Sequence, residues 1–350
     1  MATLPSRRFP LRTHLFLLVL ATLLPALLLT GFLVSQLISA IRTNTERRLL
    51  EASRGTAALV DAELSGTIRT LEALAQSQDL TDGDMAAFYE DARQLQSTQP
   101  TWVAVVLRTR SGDQLVNTFL PWGAAPAPTV DLPGVQQVFE TRQPVIGNLR
   151  RNPAFGAAPI APIRVPVIRG GQVLYSLTAI LTPDRFSALL RAERSFPDEW
   201  VRGVLDADGV IVARTRDTEQ TVGRPAAAWF LQRAAVSDEQ VYREVSREGQ
   251  PIDGAFTRAP RSRWLAAVAV PAGVIDGEVQ RTIFVLSLTA VLALALGGAA
   301  AYIIARRIGR DISAAVDAAD AIAVSREPSL PPGSVTEVQR LADALARAGA

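Results

Sequence analysis

Cysteine and lysine are both absent from this 350-residue chain, and histidine occurs once, at His14. Without cysteine there is no disulfide, no thiolate nucleophile and no cysteine-ligated zinc site. A single histidine beside an apolar segment leaves the remaining residues without imidazole. Phosphotransfer through histidine and any Ser–His or Cys–His pairing are thereby excluded from a soluble domain of these residues. All 36 basic residues are arginine, and they are interspersed with 34 acids to give a formal net charge of +2. No basic stripe forms, so nucleic-acid binding is not expected.

What the chain does have is two long apolar runs. Residues 283–305 carry no charge and end at Arg306, Arg307 and Arg310. An apolar helix of that length spans about 30 Å of hydrocarbon at 1.5 Å per residue. Residues 15–41 form a second run, preceded by Arg7, Arg8 and Arg12 and interrupted by Pro25. It exceeds the core of about 7–15 residues that a signal peptide needs, which makes it an anchor. Arginines at both outer ends predict a cytoplasmic N-terminus, an extracytoplasmic loop and a cytoplasmic C-terminal part. The expected divisions are a cytoplasmic N-terminus at 1–14, spans at 15–41 and 282–305, a loop at 42–281 and a cytoplasmic linker at 306–350.

Residues 42–78 keep a helical pattern. Leu50, Ala57, Leu64 and Leu71 recur every seven residues, with Ser53, Val60, Thr67 and Leu74 offset between them. This stripe fits either a dimer seam or the core face of a helix packed on a sheet. A helix at 84–98 follows.

The period then becomes two. Strands are expected at 102–108 and 114–120 around the turn 109–113, a short helix at 135–141, and strands at 163–168 and 172–181 around Gly170-Gly171. Residues 183–194 read as a helix with Thr182 as N-cap. Strands at 201–206 and 210–215, a helix at 226–235 and strands at 240–247, 254–258 and 264–271 complete the loop. The order of elements nearly repeats, which predicts an α+β fold of two related modules, 42–182 and 183–281, on a long N-terminal helix.

Beyond the second run, Ile308, Ile312, Ala315, Ala319 and Ile322 step by four and three. After a proline-rich break, Val338, Leu341, Leu345 and Ala348 form another seam. Two short helices cannot bury both seams alone, so a four-helix bundle built by a homodimer is expected.

This order of parts resembles bacterial transmembrane receptors with tandem PAS-like (double Cache) sensor modules and a HAMP linker. Residues 204–214, Val-Leu-Asp-Ala-Asp-Gly-Val-Ile-Val-Ala-Arg, with Val222-Gly-Arg224 behind them, look like the membrane-proximal Cache hairpin. Residues 115–118, Leu-Val-Asn-Thr, with Pro121-Trp-Gly123, look like the distal module of sensors on HWE-type histidine kinases. Glu337, Leu341 and Leu345 resemble the start and seam of the second HAMP helix, while Gly309 stands where many such linkers carry proline.

The resemblance implies a small-molecule ligand in the distal module. Strand alternation places Trp102, Arg108, Asn117, Arg164 and Tyr175 on one face, with Val103, Val105 and Leu107 on the other. Aromatic walls with an arginine suit a small organic ligand, such as a carboxylate. The turn Asp206-Ala-Asp208-Gly209 lacks the ligand spacing of a calcium loop and reads as a hairpin turn. No metal or cofactor is expected.

The chain therefore reads as the input region of a receptor in a bacterial inner membrane, without catalytic residues of its own. Ile308, Ile312, Glu337, Leu341 and Leu345 would relay the signal to an output domain beyond Ala350 or to a response regulator. The expected parent is a sensor histidine kinase. A chemoreceptor, a diguanylate cyclase and a stand-alone membrane-anchored binding protein are the alternatives.

Overall fold

The computed structural model describes residues 11–156, 158–193 and 196–323, together with the single positions 340 and 344. It divides into two units, one of residues 42–276 and one formed by 1–41 with 277–350.

Helix α1 (Leu11–Leu74) opens the chain. A short α2 (Asp79–Asp82) ends at Gly83 in the left-handed region, and α3 (Met85–Ser97) starts where the Asp84 carboxylate accepts from the Ala86 and Ala87 amides. That acceptor satisfies donors that a helix start leaves unpaired.

Strands β1 (Trp102–Arg108) and β2 (Gln114–Asn117) form the first hairpin. Helix α4 (Leu132–Thr141) follows, then short strands β3 (Val145–Ile146) and β4 (Arg150–Arg151) and a 3-10 turn at Pro153–Phe155. The long pair β5 (Pro159–Arg169) and β6 (Gln172–Leu181) closes the first sheet. Gly170 and Gly171 both have positive φ, as a two-residue hairpin turn requires.

Helix α5 (Asp184–Ala192) leads to β7 (Val201–Leu205), β8 (Ile211–Arg214), the short α6 (Thr218–Thr221) and α7 (Ala228–Val236). Strands β9 (Glu239–Val245), β10 (Pro251–Arg258) and β11 (Leu265–Pro271) complete the second sheet. Helix α8 (Ala272–Ala323) follows β11 without a loop.

The two sheets have the same topology. The first runs β2-β1-β6-β5-β3, with β4 on β5, and the second runs β8-β7-β11-β10-β9. Each reads second, first, last, penultimate and then an earlier strand, so the repeat seen along the chain is a repeat in space.

The stripe on α1 is the core face of a sheet-packed helix within one chain. Val60, Leu64 and Leu71 are buried in the largest apolar cluster, while Leu49 and Ala52 pack with Ala255, Val268 and Val270 of the second sheet. Burying such a leucine contributes roughly 1.5–3 kcal/mol. Polar ties complete the docking. The Asp61 carboxylate accepts from the Arg261 and Ser262 amides at 2.9 and 3.0 Å, and Arg169 Nη2 donates to the Ala75 carbonyl at 2.9 Å just past the end of α1.

One expected cap is not made. Pro183, whose fixed φ suits a helix start, precedes α5 without any side-chain cap, and the Thr182 amide donates to the Thr101 carbonyl.

In the other unit, α8 presents Phe284, Leu288, Leu292, Leu296 and Ile303 exposed. Among the described residues it is the one helix long and apolar enough, by length and composition, to cross a membrane, and the candidate segment is Ala272–Ala314. Residues 11–41 are helical within α1, with Leu28, Phe32 and Leu33 exposed. Of the relay residues, Ile308 and Ile312 lie on α8, whereas Glu337, Leu341 and Leu345 lie outside the described residues.

Candidate functional site

The first sheet packs one face beneath α1, and its other face sets Arg108, Arg164 and Thr178 among the buried apolar residues Ala104, Val106, Ile160 and Ile180. On β5, Ile163, Val165 and Val167 enter the main core beneath α1, so strand alternation turns Arg164 the other way. Arg164 lines a small cavity of about 40 Å³ with Arg108 and Val106 of β1, Thr178 of β6, and Asp131 at the start of α4.

The guanidinium of Arg164 is 4 % exposed, and its Nη2 donates to Asp131. Asp131 is also the N-cap of α4, accepting from the Gly134 amide at 3.3 Å. Its carboxylate is thus divided between a helix start and an arginine. Among the described residues, Arg164 Nε and Nη1 are buried without a hydrogen-bond partner. A buried donor left unmatched costs about 1–3 kcal/mol, and more when the group is charged.

Two glycines make room for this guanidinium. A Cβ on Gly134 would crowd Asp131 Oδ2 first and then Arg164 Nη1, at 2.8 Å, and one on Gly147 would lie 2.7 Å from Pro162 Cγ and 3.0 Å from Arg164 Nη1. Contacts that close would force the guanidinium aside.

Arg108 is buried too, but it is matched. Its Nη1 donates to the Gly112 carbonyl at 2.7 Å, and both terminal nitrogens reach the Ala127 carbonyl at 3.4 Å. It fastens the β1–β2 turn to the proline-rich loop and adds positive charge beside Arg164. Burial lowers the pKa of both arginines; the Arg164 charge lowers Arg108 further, whereas Asp131 opposes the shift in Arg164. Two buried cations and one carboxylate, which pairs with Arg164 alone, leave the cavity positive and suited to an anion.

The other expected site residues are distributed differently. Asn117 is buried and donates to Gln114 Oε1 at 3.1 Å while accepting from the Phe119 amide at 3.0 Å, which makes it a turn residue. Trp102 and Tyr175 face away from the cavity. Trp102 is in the main core with Val105 and Leu107, because a bulge between Trp102 and Ala104 reverses the alternation of β1. Tyr175 pairs with Val167 and packs against the same core. The expected face of five residues therefore reduces to Arg108 and Arg164 at the cavity. Asp131, Gly134 and Gly147 were not singled out from sequence, since the loop and helix cap that bring them in carry no periodic signal.

A second, larger cavity of about 340 Å³ lies on the other sheet, against Trp229, Phe230 and Tyr242. The turn Asp206-Ala-Asp208-Gly209 is a hairpin turn, with Gly209 at φ 78° and the Asp206 amide donating to the Val210 carbonyl at 2.9 Å.

No family model matches the sequence, and no curated protein matches it. Solved structures do share its fold. The extracellular domain of a predicted histidine kinase is 14 % identical and superposes with a TM-score of 0.53, covering 67 % of this chain and 98 % of that one. The ligand-binding domain of the Pseudomonas fluorescens chemoreceptor CtaA, in complex with L-isoleucine, is 20 % identical at a TM-score of 0.53, covering 69 % and 98 %. That of the Pseudomonas aeruginosa amino-acid chemoreceptor PctB, in complex with L-Arg, is 18 % identical at 0.53, covering 65 % and 96 %. This chain thus has the α+β fold of extracellular ligand-binding sensor domains found on histidine kinases and chemoreceptors.

Proposed function

We propose that this chain is the input region of a transmembrane receptor, and that its first module binds a small carboxylate through Arg164. The observation that carries the reading is a guanidinium 4 % exposed with two nitrogens unmatched among the described residues. A carboxylate is planar and bidentate, and it would take Nε or Nη1 together with the second hydrogen of Nη2, whose first goes to Asp131. The cavity of about 40 Å³ has room for roughly three water-sized groups, which is the scale of a carboxylate head.

The fold shared with extracellular sensor domains supports the sensing role. The apolar length of α8 supports a bacterial inner-membrane location with the 42–276 unit on the periplasmic side. In this reading residues 15–41 are a second span, and 306–350 form a HAMP linker in which Ile308 and Ile312, with Glu337, Leu341 and Leu345, pack across a homodimer. The output is that of an HWE-type sensor histidine kinase. Ligand binding shifts the receptor only through its different affinity for the two signalling states, and moving a 1:99 population to 99:1 takes about 5.5 kcal/mol.

The test is a thermal-shift screen of small carboxylates against the full chain in detergent. A hit in the parent chain should lose roughly 2–5 kcal/mol of binding in Arg164→Ala, the loss expected on truncating one partner of a buried charge pair. A hit that survives Arg164→Ala unchanged sinks the assignment.

A further inference from the structure

The second sheet carries a cavity that the anion site on the first sheet does not explain. Its inner face packs on α1, with Ala255 and Val268 buried there. Its outer face is covered by α7 over part of its width. There Phe230 meets Phe256 with ring centroids 5.2 Å apart, and Trp229 meets Tyr242 at 5.0 Å. Beyond α7 the floor is made of small residues on adjacent strands: Gly203 is paired with Ala267, and Val201 with Ala269. A Cβ on Gly203 would meet only the Ala213 carbonyl oxygen, at 3.6 Å, so the space above this glycine is open.

The floor and the aromatic wall enclose about 340 Å³, at the lower end of the roughly 300–1,000 Å³ typical of small-molecule sites. The wall is fixed in place. Tyr242 lies across Gly254, its partner on β10, where any side chain would collide with the ring. None of the hydrogen bonds among the described residues uses the Tyr242 hydroxyl, although the ring is buried.

The rim is cationic. Arg214, Arg216 and Arg247 line it against a single acid, Glu248. Arg247 Nη2 is held by the Pro225 carbonyl at 3.0 Å, and Arg214 Nη1 pairs with Glu248 at 2.9 Å. Among the described residues, no hydrogen bond uses Arg214 Nε or Nη2. An aromatic wall, a flat apolar floor and surplus guanidinium donors at the edge favour a planar ring bearing a negative group.

We infer that this cavity is a second ligand site, which takes a small aromatic carboxylate with its ring over Gly203 and Ala267 beside Trp229 and its carboxylate at Arg214. The site is separate from the Arg164 cavity and does not depend on it.

The test titrates the full chain in detergent with benzoate, with acetate as the ringless control and benzyl alcohol as the uncharged one, and follows tryptophan emission. Benzoate should change the emission of the parent chain and not that of Trp229→Phe. Its affinity should fall at least tenfold in Gly203→Val, which fills the floor, and in Arg214→Gln, with Arg164→Ala unchanged. Acetate should leave the emission unaltered, and any benzyl alcohol binding should be indifferent to Arg214→Gln. Ala269→Leu fills the same floor and stands in if Gly203→Val does not fold. Benzoate affinity unaltered by the filled floor, or lost in Arg164→Ala, overturns the inference, and so does failure of benzoate to bind.

Discussion

The carboxylate of Asp206, in the turn after β7, accepts a hydrogen bond at 2.8 Å from the amide of Leu149, which belongs to the first module. The same carboxylate accepts from the Asp208 and Val210 amides at 3.0 and 2.9 Å, and its residue is fully buried. One side chain therefore closes its own hairpin and fastens the two modules together. Burial pushes its pKa up, while the three amides oppose that shift. Asp206→Ala would leave three amides unmatched at a cost of about 2–4 kcal/mol, or roughly 5–15 °C in melting temperature for a unit of this size. Circular dichroism of the parent and variant chains checks it, and an unchanged transition would show that water replaces the carboxylate.

Gly134 couples the anion site to the cap of α4. A methyl there meets first Asp131 Oδ2, in the carboxylate that caps α4 and holds Arg164, and then Arg164 Nη1 at 2.8 Å, so it displaces both partners despite the better helix propensity of alanine. Gly134→Ala should therefore lower stability by about 1 kcal/mol through the disturbed cap and weaken carboxylate binding at the first module at least tenfold. Calorimetry on both chains decides it, and undiminished affinity would place the anion elsewhere.

The Arg214–Glu248 pair makes stability depend on acid. The hydrogen bond from Arg214 holds the Glu248 carboxyl down at about 2, against an ordinary value of 4.5. A depressed carboxylate pKa adds stability that is fully present above 4.5 and is lost as the pH falls from 4.5 towards 2. In that window the melting temperature of Glu248→Gln should fall less steeply than that of the parent chain. Parallel acid profiles for the two chains would refute this.

Topology and assembly have direct tests. A reporter fused near Pro128 should signal from the periplasm and one after Pro332 from the cytoplasm, given the arginines that follow residue 305. Single cysteines at Ile312 and at Leu345 should crosslink between two copies in membranes. Neither position crosslinking would remove the proposed helical bundle.

Local chemistry was legible in the sequence wherever one residue type decides the backbone. Gly170-Gly171 and Gly209 marked hairpin turns that form with positive φ, and the alternation of β5 put Arg164 opposite Ile163 and Val165. Trp102 was misplaced because a one-residue bulge inverts parity, and a bulge has no composition of its own. Tyr175 follows the apolar set of Leu177, Ala179 and Leu181, a parity that its aromatic character obscured. Asp131 meets Arg164 from a helix cap 33 residues earlier, and chain order carries no trace of that contact. The cavity beside Trp229 was the least visible of all, since it is made by Gly203, Ala267 and Ala269, whose contribution is the side chain they lack.

Helix α1 gives Leu49 to the core of the second sheet and Leu64 and Leu71 to the main core beneath the first, over roughly 33 Å of helix. A single spine therefore serves as a wall for both modules, and a cut near residue 182 would strip each half of apolar cover. Chimeras made by exchanging one module between chains of this fold should aggregate unless the matching stretch of α1 travels with it, and residues 42–276, which form one compact unit, should be exchanged whole.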